Sequence, residues 1–399
     1  MKTKFLTQLL GLVLICFGLT NCTDPYKLKT DTFEDALVVE ATITNQMQKQ
    51  TVKLSRTFRF EDLIPAFEEN ADVTVTDSDG NVYPFEQSNN VYTSVNEFQA
   101  VPGKLYHLTI ITSDGKKYTS SKEVLPTDTP LQELTASVQT IDNIRGVEIK
   151  AKSYDPSSTS HYYRFEYEET YKIIAPKWRT FKPKVTRDAM DNPVIVYIPH
   201  TEETRTCYST DKSTDILLLN TNETPEDRVD FPVRFISTQN YIMSHRYTIL
   251  VHQYVQNLHA YNYYKALKKL SGSGSVLSPN QPGYLVGNIK SVNNPSEKVI
   301  GFFDVSSVSS KRLFFNYADL FPGEALPPYK VTCDEQAYKF CFNLLDRFCK
   351  GDQVLDHIKY RTKTIIGTND DPIPIYIMTP MACAECTSFS SNIVPPFWE

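Results

Sequence analysis

Six cysteines in the second half of the chain, Cys207, Cys333, Cys341, Cys349, Cys383 and Cys386, are the residues whose type and spacing say most about chemistry. Cys333, Cys341 and Cys349 stand eight residues apart, and Cys383 and Cys386 form the motif CAEC. A CxxC pair is half of a tetrahedral zinc site, but no histidine pair follows at finger spacing. A redox CxxC belongs at a helix N-terminus in a βαβ setting, which the tail lacks. In an exported chain an even count predicts three structural disulfides and no metal. If residues 333–350 are helical, neighbours in the eight-residue series are separated by about 12 Å of rise, beyond the roughly 7 Å limit for a bridge. On that premise Cys333, Cys341 and Cys349 pair with Cys207, Cys383 and Cys386, pinning a helix to a strand and to the tail.

Other reactive patterns dissolve on inspection. His245, His252 and His259 recur every seven residues, but the first two fall on a strand and the third on a helix, so they do not converge. DSDGN at 77–81 has its glycine at the fourth position and no glutamate at the twelfth, which makes it a hairpin turn and not a calcium loop. SGSGS at 271–275 follows a helix, where it caps, and does not precede one as a phosphate cradle would. It is also not the G-x-S-x-G elbow of hydrolases. Glu202-Glu203 and Asp370-Asp371 read as solvated loop charges. The expectation is therefore no enzyme, no cofactor and no metal. The aromatic runs HYYRFEYEETY and YNYY offer a different use: Tyr162, Tyr163, Tyr263 and Tyr264 are candidates for a ligand surface, since tyrosine presents a rigid apolar face with a polar tip. The terminal PPFWE is expected to dock its aromatics on the body.

The chain opens with the marks of export. Lys2 and Lys4 precede LLGLVLICFGL, Leu9 to Leu19, a run well short of the roughly 20 residues that cross a bilayer. Leu19, Thr20 and Asn21 lead into Cys22, an order that resembles a bacterial lipobox, in which the cysteine is lipidated and becomes the first mature residue. Two or more acyl chains give durable anchoring where one gives little. Residues 1–21 are then a lipoprotein signal peptide and 22–35 a polar tether, with Cys22 as the lipid attachment site.

These sites must be positioned by strands. The chain has 399 residues, 41% hydrophobic and 12% aromatic, with 24 tyrosines and 22 phenylalanines set among valines, isoleucines and threonines. The predicted fold is mainly β: an N-terminal immunoglobulin-like β-sandwich at 36–128, where short alternating strands are joined by Asp-Gly turns, followed by a larger β-rich domain at 129–399 with two helical insertions. LPTDTP, residues 125–130, marks the joint. The helices are expected near 257–271 and near 333–350, the latter from a Thr332/Glu335 capping box, an apolar stripe and Gly351 as its stop. A net charge of −6 without a basic block excludes a phosphate-tracking surface, and with it nucleic acid.

Taken in order, CTDPY, LVVEATIT, GKLYHLTI, YTSSKEVLP, SGSGSVLSP, GNIKSVNNPSEKVIGFFDV and CAECTSFSSNIVPPFW resemble a family of Bacteroidota outer-membrane lipoproteins catalogued as domain of unknown function 4249. The resemblance implies an outer-membrane lipoprotein, often encoded beside a TonB-dependent receptor, with a β-sandwich first domain. The functional expectation is a lipid-anchored accessory that faces the cell surface, partners such a transporter and captures its ligand. The alternatives are a structural part of an envelope assembly complex and, third, a hydrolase.

Overall fold

The computed structural model describes residues 35–57, 66–272, 285–342, 345–369 and 372–398. The signal, Cys22 and the tether up to 34, the loop from 273, and Asp370-Asp371 lie outside the described residues.

The fold is mainly β, as the composition predicts, with sandwich-like layering. Period-two burial drives it. In Leu37–Thr44 the buried Leu37, Val39, Ala41 and Ile43 alternate with outward residues, and the antiparallel Thr51–Arg56 adds Val52 and Leu54. Successive hairpins from Asp72–Asp77 to Lys117–Ser120 complete a first core. That core does not end with its own segment, because Ile289, Val299, Phe303 and Val305 also belong to it. Ile289–Ser291 pairs antiparallel with Lys117–Ser120. Val299–Asn316 pairs in parallel with Leu37–Thr44 along its first half, from Leu37 against Val299 to Thr44 against Ser306.

The second half of that same strand pairs antiparallel with Arg246–Gln256, which in turn pairs with Tyr162–Ile174. Among the described residues a 14-stranded sheet therefore passes from the first core into the second through a single strand. In the second core Tyr163, Phe165, Tyr247, Ile249 and Val251 pack against a separate three-stranded sheet that brings Val147, Ile149, Val229 and Val233. The proline-rich joint is locked into the seam between the cores. Gln253 Nε2 donates to the Thr129 carbonyl at 2.8 Å, Ser307 Oγ donates to the Thr127 carbonyl at 3.2 Å, and the Thr129 and Ser160 hydroxyls lie 2.6 Å apart.

Close backbone approach is absolute at Gly301. Its φ is +139°, and a Cβ there would stand 2.1 Å from the Val39 carbonyl oxygen of the parallel neighbour. The DSDGN turn is a hairpin as expected, and its Asp77 is buried. The carboxylate accepts from the backbone N–H of Asp79 and Asn81 at 3.0 and 2.9 Å, and from Lys104 Nζ at 2.9 Å. Burial works to raise the Asp77 pKa, but the Asn81 and Lys104 donors outweigh it and hold the carboxyl well below the usual range.

The C-terminal third corrects two expectations. The expected helix near 333–350 is absent among the described residues there. Gln336–Lys339 is a strand, and the helix comes later, at Gly351–Lys359. The eight-residue cysteine spacing belongs to a closed loop: Cys341 and Cys349 are bridged with Cα atoms 4.8 Å apart, where a helix would hold them about 12 Å apart. The apparent stripe is also not buried, since Leu345 and Phe348 face solvent. Gly351 begins the helix instead of stopping one, and a Cβ on it would meet the Phe342 ring at 2.6 Å. The other bridges are Cys333–Cys383 and Cys207–Cys386. All six cysteines are thus disulfide-bonded, but only Cys333–Cys383 joins the two groups in the expected manner. The other helix, Leu258–Gly272, stands where the periodicity predicts.

Two outcomes test this reading. Gly301→Val should cost about 3 kcal/mol or more, from strain plus a backbone clash, in urea unfolding; a loss under 1 kcal/mol would contradict the parallel junction. For Asp77 the folded pKa lies below the unfolded value of about 4, so its contribution is present above that pH and fades as pH falls. The Asp77→Asn variant should therefore be less stable than the parent at pH 7 and lose less on acidification to pH 3; parallel profiles of urea midpoint against pH would refute the assignment.

Candidate functional site

The alternation that sends Tyr163 and Phe165 into the second core turns Arg164, Glu166 and Glu168 to the opposite face of the strand Tyr162–Ile174. Register places Tyr254 across from Arg164 and His252 across from Glu166. After Gln256 the chain turns into the helix Leu258–Gly272, where Asn257 Oδ1 accepts the Ala260 N–H at 2.9 Å as an N-terminal cap. The first turns of that helix bring Tyr264 over the strand. The result is a clamp: the Arg164 guanidinium lies 4.2 Å from the Tyr254 ring centre and 4.7 Å from that of Tyr264. Such cation–ring contacts are worth about 2 kcal/mol when desolvated.

Arg164 is 6% exposed. Its Nη1 donates to Glu166 Oε1, and Glu166 Oε2 accepts from the Tyr254 hydroxyl at 3.3 Å. Its Nε has no hydrogen-bond partner among the described residues. Within electrostatic reach is Asp304, wholly buried on the strand that joins the two cores. Asp304 Oδ2 accepts from Gln256 Nε2 and from Ser306 Oγ, both at 2.7 Å, while Asp304 Oδ1 and Gln256 Oε1 have no partner among the described residues. Burial lifts the Asp304 carboxyl above the ordinary range, opposed by Arg164 and by the Ser306 and Gln256 donors. On Arg164 burial acts against the charge, but Tyr264, Glu166 and Asp304 outweigh it and keep the guanidinium protonated.

Two clefts of about 530 and 380 Å³ open at this clamp. Both are lined by Arg164, Glu166, Tyr254, Tyr264 and Leu267, and by Glu40 and Lys53 from the first core. Glu40 and Lys53 lie 3.5 Å apart, and Lys212 pairs with Glu168 at 2.8 Å. The site thus spans the junction of the two cores and offers fixed charges of both signs around an aromatic-faced cation.

Of the sequence candidates, Tyr264 is part of the clamp. Tyr263 supports it from behind, with its ring 5.6 Å from Tyr264 and 5.3 Å from Phe302. Tyr162 packs on Tyr261 at 5.1 Å. Tyr163 is a correction: it is fully buried and its hydroxyl donates to Asp227 Oδ1 at 2.9 Å, because the strand's pleat points it inward. His252 lines the larger cleft with Nδ1 2.6 Å from Ser310 Oγ, and burial lowers its pKa. His245 is half-buried at the strand's start and His259 is exposed on the helix. Cys341, Asp346 and Cys349 gather within 4.8 Å, but the two sulfurs are bonded to each other. The terminal aromatics dock: Arg312 covers the Phe397 ring at 3.7 Å, and Trp398 meets Tyr208 at 4.9 Å. Arg164, Tyr254, Gln256 and Asp304 are not among the residues that the sequence singles out. An arginine set between aromatics inside a strand, YYRFEYE, was the available signal.

Removing the cation tests this electrostatic account. Arg164→Met should destabilise the fold by about 3 kcal/mol at pH 7, since it strands Asp304. Burial already raises the Asp304 carboxyl, and loss of the Arg164 charge that opposes this raises it further, so the cost of its charged form is relieved as pH falls: the deficit should shrink at pH 5, and adding Asp304→Asn should restore part of it. Urea unfolding showing the same deficit at both pH values and no rescue would overturn the account.

No curated protein matches the chain significantly. Among solved structures, trypsin-activated alpha-2-macroglobulin from Escherichia coli matches at 11% identity over 57% of this chain, with a TM-score of 0.18. The aligned part is only 15% of that structure's length, and a likeness this slight carries no argument. A family profile, by contrast, runs over residues 23–312, through both large cores and every residue of the Arg164 clamp, and the chain belongs to that family, described as a domain of unknown function (DUF4249).

Proposed function

We propose that the protein is a lipid-anchored, outer-membrane binding accessory that holds a small polar ligand in the Arg164 clefts and serves a TonB-dependent transporter at the cell surface. The observation that carries the binding part is the guanidinium of Arg164, held between Tyr254 and Tyr264 and lining both clefts. Charges and rings already fixed in a cleft bind a polar ligand with little ordering cost of their own.

The anchoring part is supported by the sequence: a basic start, an apolar run too short to span, and Cys22 in a lipobox-like setting. The family match begins at residue 23, next to Cys22. The transporter part is supported by the resemblance to Bacteroidota lipoproteins encoded beside such receptors.

Affinity purification through a C-terminal tag from detergent-solubilised outer membrane should return a receptor barrel. Cys22→Ser should release the protein from the membrane fraction and abolish that co-purification in cells. If the protein emerges alone, or returns assembly factors in place of a barrel, the accessory reading fails. If Cys22→Ser still sediments with lipid, the anchor reading fails.

A further inference from the structure

We propose that the Arg164 clefts take a short, uncharged oligosaccharide. This rests on the reading of the clefts as a ligand site and names the chemistry of the ligand.

The balance of charge decides against an ionic ligand. Six of the charged side chains that line the clefts are joined in pairs: Glu40 with Lys53 at 3.5 Å, Glu168 with Lys212 at 2.8 Å, and Glu166 with Arg164. The other two, Lys49 in the smaller cleft and Asp215 in the larger, are exposed and of opposite sign. Burial lowers the pKa of His252, which keeps that ring neutral at pH 7. The lining therefore sums to zero charge, and a ligand carrying net charge finds no field to draw it in. A hydroxyl group both donates and accepts, so it bonds to a carboxylate and to the cation paired with it while the pair stays neutralised.

Topology decides against a peptide strand. Besides the helix Leu258–Gly272, the clefts are walled by residues of Leu37–Thr44, Thr51–Arg56, Tyr162–Ile174 and Arg246–Gln256. Each of these strands has a pairing neighbour on both sides. The clefts thus lie on the face of the sheet, where an extended peptide meets no open edge to pair with. What this face presents is side chains.

Those side chains mix apolar surface with hydrogen-bonding groups. Tyr254, Tyr264 and Leu267 line both clefts, and Phe302 adds a ring to the smaller one, where Gln48 and Thr51 supply neutral donors and acceptors. A saccharide carries the same mixture, with apolar C–H faces rimmed by hydroxyls, and aromatic rings attract such C–H groups through their electron-rich faces. The two clefts share Glu40, Lys53, Arg164 and both tyrosines, so they adjoin. Adjoining clefts suit a ligand of several linked units.

The test uses the purified full chain in a detergent without a sugar headgroup, titrated calorimetrically with cellotetraose, maltotetraose, xylotetraose and laminaritetraose. At least one should bind saturably, its monosaccharide should bind about tenfold more weakly or worse, and raising sodium chloride from about 50 to 500 mM should change the affinity by less than about twofold. Glu40→Gln and Lys53→Met alter exposed side chains and should leave the urea midpoint in place, yet each should weaken binding by about tenfold, or roughly 1.4 kcal/mol. If no tetrasaccharide binds, or if binding ignores both substitutions, the sugar assignment is wrong. Glutamate, citrate, spermidine and an uncharged octapeptide are titrated in parallel. Should one of these bind in a manner that depends on Glu40 and Lys53 while no tetrasaccharide does, the clefts remain a ligand site and only the sugar assignment falls. Should nothing bind, or should all binding ignore both substitutions, the ligand-site reading falls with it.

Discussion

The constraint on which the molecule depends is the double pairing of one strand. Val299–Asn316 is parallel to Leu37–Thr44 along its first half and antiparallel to Arg246–Gln256 along its second. A parallel pair cannot be made by a tight turn; it needs a crossover. Here the crossover is most of the protein, because most of the second core is built between the two partners. The first core is incomplete until this strand returns to supply Val299, Phe303 and Val305. The two cores are therefore continuous in hydrogen bonding although separate in apolar packing. Gly301 is the local expression of that constraint, since the Val39 carbonyl occupies the space where a side chain would begin.

Where the cores meet, the interior changes character. Val299–Asn316 is apolar at its start, but Asp304, Ser306 and Ser307 are buried at the crossing, beside Gln253 and Gln256 from the neighbouring strand. Buried polar groups in a low dielectric are costly when unpaired and rigid when paired. The seam uses the paired ones to hold the joint, through Thr127 and Thr129. Among the described residues Arg164 Nε, Asp304 Oδ1 and Gln256 Oε1 are left unpaired, and Asp304 lies within electrostatic reach of Arg164. The same strand thus fixes the relation of the two cores and carries the buried acid that opposes the Arg164 charge.

The C-terminal unit follows another logic. Its apolar core is small, centred on Tyr338, Val354, Ile365, Tyr376 and Met378. Small cores need covalent help. Cys333–Cys383 ties this unit across its own chain and Cys207–Cys386 ties it to the second core, over separations of 50 and 179 residues. In the chain-entropy view each contributes about 4–5 kcal/mol. Cys207–Cys386 also fixes the path of the tail, where the Tyr208 N–H donates to the Ser391 carbonyl at 2.7 Å. The hairpin Phe181–Pro199 is covered by this unit through Ile195 and Ile358, so residues far apart in sequence share one face.

The sequence by itself determined the local structure. Alternation in LVVEATIT, the Asp-Gly turns, the helix following Asn257 and the pairing of all six cysteines are legible because each rests on short-range periodicity, turn chemistry or simple counting. The tertiary structure alone decided the partners. A strand's pleat states that Tyr163 and Arg164 face opposite ways, but not which face is the core, so Tyr163 read as surface and Arg164 went unremarked. Eight-residue spacing fits both a helix and a closed loop, and only the partner strand of Gln336–Lys339 distinguishes them. The Arg164 clamp joins residues 164, 254, 264 and 304, and no local pattern encodes that meeting. It exists because the strand Val299–Asn316 returns to the first core while paired to the second, which fixes in space what the chain leaves far apart.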